Sequence, residues 1–135
     1  MSNTEVERLA IKYVIAYEMR RLNLKKSELV RHVPKGEGYD LESPGKNGRK
    51  IEVKGTNGNA VNTGFRLNSS QEIAFVNGGG YVYRVLDVFG SPRLYIFDGA
   101  KLTLSIYEWA YVSAPKELLG TPIELSPLVT KLRAP

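Results

Sequence analysis

The chain has 135 residues, 42% of them hydrophobic and 24% charged, the size and balance of one soluble domain with a real core. It has no cysteine, which excludes disulfides and thiolate metal sites, and no apolar run approaches the roughly 18 to 20 residues of a membrane span. The net charge of +5 is uneven: residues 1–54 hold 12 Lys/Arg against 8 Asp/Glu and the rest 7 against 6, which suits a polyanionic partner or plain solubility.

The start, MSNTEVERLA, lacks the basic and apolar regions of a signal peptide, so a cytoplasmic protein is expected. Apolar residues at 6, 9, 10, 13, 14 and 17 give residues 4–22 the spacing of a buried helical stripe. Glu7, Ile11, Val14 and Glu18 form an adjoining line, because the eleven residues from Glu7 to Glu18 are close to three full turns. Such carboxylates can look into a cleft, or Glu18 can pair with Arg21 at i+3. Arg20, Arg21, Lys25 and Lys26 then read as a solvated helix end or a grip on DNA phosphates.

Residues 28–34 read as a short strand ended by Pro34, with the lone histidine, His32, in a structural or surface role. YDLES (39–43) alternates, PGKNG (44–48) is a turn, and RKIEVKG (49–55) is the clearest strand. Its Ile51 and Val53 face one way, and Lys50, Glu52 and Lys54 the other. The two strands form a hairpin in which Asp40 and Glu52 are cross-strand neighbours. TNGNAVNTG (56–64) is a loop and 65–67 a brief extended piece; NSSQEIAFV (68–76) is a helix with the capping-box spacing Ser69-x-x-Glu72. Residues 81–89 and 93–99 are strands in which Tyr81, Tyr83 and Tyr95 serve the core and the sheet surface. Beyond 100 the signal weakens; Trp109 and the prolines of the tail find no place.

The order helix, three strands, helix, two strands predicts an α/β fold. The second helix makes the strands at 49–55 and 81–89 parallel, in a mixed sheet flanked by helices. Two carboxylates side by side repel unless a cation lies between them, and hard oxygen ligands suit Mg²⁺. Asp40, Glu52 and the Val53 carbonyl would supply the protein's share of that shell, and Lys54 would orient a water or stabilise charge on a phosphorane. Glu18 would reach over from the helix. The competing reading is an exposed hairpin face with surface ion pairs.

These residues resemble the PD-(D/E)xK nuclease superfamily: Asp40, then Glu52-x-Lys54 on a strand, with a helical acid upstream. The closest match is the family named after the C-terminal part of the plant protein NO VEIN. It is carried by VERLAIKYVIAYE (6–18), GYDLES (38–43), RKIEVKGT (49–56), LNSSQE (67–72) and YVYRV (81–85). The resemblance implies a restriction-endonuclease-like core of order αβββαββ over residues 1–100, with 101–135 an extension packed on the same domain. It implies a Mg²⁺-dependent endodeoxyribonuclease, Mn²⁺ substituting, that acts on DNA. Asp40 and Glu52 would hold the metal, Lys54 would be the catalytic lysine and Glu18 the helical acid, with Glu7 a second candidate. Gln71 or Glu72 falls at a further active-site position, where Glu72 can equally be a helix cap. Lys50 joins the basic residues as a DNA contact. A two-fold dimer and a helicase or restriction-like partner fit this chemistry. Tyr39 replaces the proline of the superfamily's name. The alternatives are a Holliday-junction resolvase-like enzyme and a noncatalytic nucleic-acid or protein-binding module.

Overall fold

The computed structural model describes residues 3–58, 65–105, 110–113 and 121–125. Helix α1 (Asn3–Leu22) buries Ala10, Tyr13 and Val14, the centre of the apolar stripe, with Val6, Leu9 and Tyr17 packed partly around them. It ends where Asn23 turns left-handed (φ 55°). The Leu24 amide then reaches back to the Met19 carbonyl at 2.8 Å, the hydrogen bond that closes many helix ends.

A six-stranded sheet follows: β1 (Arg31–His32), β2 (Leu41–Glu42), β3 (Lys50–Gly55), β5 (Tyr81–Leu86), β6 (Arg93–Asp98) and β9 (Ile123–Glu124), in that spatial order. β4 (Phe65–Leu67) joins β8 (Ala110–Ser113) and β7 (Thr103–Ser105) in a separate three-stranded sheet. Helix α2 (Ser70–Asn77) leads into β5, and β3 and β5 run parallel, with Glu52 beside Val82 and Lys54 beside Arg84. All other pairs are antiparallel. The fold is therefore α/β with a mixed sheet, as the element order requires.

The differences are local. The expected strand 28–34 contains a 3-10 turn (Ser27–Leu29) that leaves Leu29 48% exposed, so only two residues pair with β2. β2 is equally short, although the Asp40 and Ser43 amides extend its bonding to Ile51 and Arg49. The tail beyond 100 supplies β7, β8 and β9, and Leu125 enters the main core with no exposure. Trp109 and most of the loop 56–64 lie outside the described residues.

The sheet is covered on both faces. α1 packs on Ile51, Val53, Tyr83 and Val85, while β4 and α2 pack on Val82 and Leu86. This is why β3 reads as buried through Ile51, Glu52 and Val53 instead of alternating with water. Gly55 lets α1 lie close on the strand: a Cβ there would stand 2.6 Å from the Ala10 Cβ.

Glu18 ties the far end of α1 to the hairpin and the sheet centre. Arg21 donates to both of its oxygens at 2.6 Å, Ser43 at 2.7 Å and Tyr83 at 2.8 Å. Arg21 also reaches the Asn47 carbonyl in the hairpin turn, and Arg49 donates to the Tyr83 hydroxyl. Burial alone would raise the Glu18 carboxyl, but the bonds from Arg21, Ser43 and Tyr83 outweigh it and hold the group below its usual 4.5. Its stabilisation is thus present above the unfolded value and lost as pH falls through the lower folded one. Glu18→Ala leaves the partly buried Arg21 and the buried Tyr83 without their acceptor and is expected to cost about 3 kcal/mol or more in urea unfolding at pH 7. The gap to wild type is expected to shrink on titration below pH 4.5; a gap constant down to the acid limit would contradict this assignment.

Candidate active site

The register that sets Leu41 opposite Ile51 puts Asp40 across from Glu52, on the face away from α1. Asp40 Oδ2 accepts from the Val53 amide at 2.8 Å, so its carboxylate is pinned to β3 itself. Strand geometry sends the Val53 carbonyl to the same edge as its amide. Glu52 is only 6% exposed. Burial, then the hydrogen-bonded and like-charged Asp40 beside it, push its carboxyl up to about 10. Asp40 and Glu52 thus line the floor of one cleft, with the Glu52 carboxyl favouring its neutral form.

Lys54 Nζ lies 3.1 Å from Glu52 Oε2 and 2.6 Å from Glu72 Oε1. Its burial works against the ammonium, yet Glu52 and Glu72 keep it protonated and above its usual value. Glu72 is the converse: burial favours its acid form, but Lys54 holds it ionised and below 4.5. Glu72 stands in the first turn of α2. Its amide donates to Ser69 Oγ at 3.1 Å, while its carboxylate accepts from Lys54 Nζ in the cleft.

The cleft encloses about 400 Å³ where β2 ends and β3 runs on. One wall is the loop Val33–Gly38, a second the entry to α2 with Asn68, Ser69 and Gln71, and a third the first turns of α1 with Val6 and Glu7. Gly38 (φ 88°) makes the first two walls meet, since a Cβ there would overlap the Gln71 carbonyl. Tyr39 lines the cleft and stacks on Phe75 at 4.7 Å between ring centroids.

Asp40, Glu52, Val53, Lys54, Gln71, Glu72 and Glu7 therefore line one cleft. Glu18 does not: it is sealed in the network with Arg21, Ser43 and Tyr83, which corrects its expected place. The helical periodicity put Glu7 and Glu18 on one face correctly. Eleven residues at 1.5 Å each, however, set them about 16 Å apart along the axis, and only Glu7 reaches the cleft. Arg21 is likewise bound to Glu18, and Arg20, Lys25 and Lys26 are exposed at that same far end of α1. Lys50 is exposed, with Nζ 5.8 Å from the Tyr39 ring centre. His32 is exposed and does not line the cleft. A residue that sequence reasoning passed over, Lys35, lines it from the loop; its place after Pro34 in a glycine-bounded turn was the available signal.

No cluster of three or more His, Cys, Asp or Glu able to cage a metal occurs among the described residues. The donors present are two adjacent carboxylates and a strand carbonyl. That set matches a cation such as Mg²⁺, which takes one or two carboxylates and keeps several waters.

The family model described as Protein NO VEIN, C-terminal, matches residues 6–97. No curated protein and no solved structure matches the chain.

Crowded acids at a site are held at a cost in stability. Glu52→Gln removes one of them while keeping a donor toward Asp40. In EDTA this variant is expected to unfold at the same urea concentration as wild type or a higher one; a loss beyond about 1 kcal/mol would mean that the carboxyl serves the fold.

Proposed function

This chain belongs to the family of the C-terminal region of protein NO VEIN, and from the geometry of its cleft we propose that it is a metal-dependent endonuclease acting on DNA. The observation that carries the reading is that Asp40 and Glu52 line the cleft floor from facing positions at the start of β2 and in β3, with Lys54 Nζ 3.1 Å from Glu52. The buried Glu52, the partly exposed Asp40 across from it and the partly buried ammonium of Lys54 serve no packing need. They suit a reaction in which negative charge develops at phosphorus.

Asp40, Glu52 and the Val53 carbonyl would hold Mg²⁺ or Mn²⁺. When bound, the ion supplies the charge that activates water and neutralises the phosphodiester. Lys54 donates from Nζ to the attacking water or to a non-bridging phosphate oxygen. Glu72 keeps that ammonium charged and aimed, through its 2.6 Å bond. Glu7, exposed at the mouth and without a hydrogen bond or ion pair to any described residue, takes up the helical-acid role and orients incoming water. The basic surplus of residues 1–54 supports a polyanionic substrate. No described helix is long and apolar enough to cross a membrane.

Purified protein with Mg²⁺ or Mn²⁺ is expected to cleave at least one of single-stranded, duplex and branched DNA. Asp40→Asn and Lys54→Ala are each expected to reduce the rate by roughly 10² or more. Inertness on all of these substrates would leave a binding module as the better reading. Independently, millimolar Mn²⁺ is expected to raise the melting temperature of wild type and not of an Asp40→Asn/Glu52→Gln double variant. Equal shifts in both would place the ion elsewhere.

A further inference from the structure

Building on the nuclease reading, we propose that the cleft takes a single DNA strand rather than intact duplex, and that Lys35 is the cation that holds the strand's backbone phosphate. The acids lie at the bottom of the cleft, Glu52 being 6% exposed, so substrate has to come down to them. The walls are set by backbone contacts. Gly38 abuts the Gln71 carbonyl, and Gly55 abuts the Val6 carbonyl and the Ala10 side chain on the opposite flank. Side-chain rotation cannot widen such walls. A space of about 400 Å³ between them has the dimensions of a small-ligand pocket and not of a trough for a rod with two rows of phosphates. One strand can thread a nucleotide into it, whereas a duplex would first have to open.

Charge singles out Lys35. Among the described residues, four carboxyl groups line the cleft, from Glu7, Asp40, Glu52 and Glu72, against two cations, Lys35 and Lys54. Lys54 is occupied by Glu52 and Glu72. Lys35 is exposed and makes no ion pair or hydrogen bond with any described residue. An anionic strand approaching four acids needs an unspent positive charge at the rim. Lys35 stands there, between Pro34 and Gly36 (φ 96°), on a turn that presents it to the opening.

The test is fluorescence anisotropy with labelled oligonucleotides in EDTA, using Asp40→Asn protein so that cleavage does not compete. The probes are one DNA sequence as single strand and as blunt duplex, and the same sequence as RNA. The single DNA strand is expected to bind at least tenfold tighter than duplex. Adding Lys35→Ala is expected to weaken it by roughly tenfold and to reduce the slope of log K against log salt by about 0.7, one phosphate contact on a single strand. Lys35→Arg is expected to retain both. Duplex or RNA binding as tight as the DNA strand, or an unchanged affinity and slope in Lys35→Ala, would overturn the proposal. The readout is separate from turnover. Strand binding through Lys35 without cleavage by wild type would remove the nuclease reading alone, and duplex cleavage with no strand preference would remove this proposal alone.

Discussion

The constraint that organises this molecule is the burial of Glu52 on a strand whose two faces are both covered. A carboxyl in that position cannot ionise cheaply, and nothing apolar stands in for it. Its surroundings answer piece by piece. Burial and the facing Asp40 favour its neutral form, Lys54 offsets part of the charge, and Glu72 keeps Lys54 ionised. Asp40 in turn is anchored by the Val53 amide, so the arrangement is fixed to the backbone of β3 and does not depend on rotamers alone. Gly38 and Gly55 allow the loop and α1 to close in around it.

A second buried acid sharpens the contrast. Glu18 has no exposure, yet its carboxylate is held low where that of Glu52 is pushed high. The difference lies in the partners. Glu18 receives four hydrogen bonds from Arg21, Ser43 and Tyr83, enough to replace its lost hydration. Glu52 faces another acid. The first is a structural joint between helix and hairpin; the second is the site to which the proposed function assigns a cation and a phosphate.

Much of this was legible in the chain. Alternation in RKIEVKG set Glu52 and Lys54 on one face, and the short turn before it brought Asp40 alongside. Ser69-x-x-Glu72 marked the start of α2. What failed was distance along an axis: helical period gives an angle and no position, so Glu18 reads as the helical acid and Glu7 as the second candidate, whereas packing on β3 places Glu7 at the cleft. The place of β4 in the three-stranded sheet was invisible because it pairs over a long separation, Phe65 with Val112, and local pattern carries no record of the partner. The depth of Glu52 was hidden for the same reason, since it depends on α2 and β4 arriving from elsewhere in the chain.

The outer strands of the main sheet carry a consequence for assembly. Arg31–His32 on one side and Ile123–Glu124 on the other are each two residues long. An edge that short offers a neighbouring molecule few free ladder positions, a common protection against uncontrolled stacking of sheets. Sheet extension through these strands is therefore a poor way for two copies to meet.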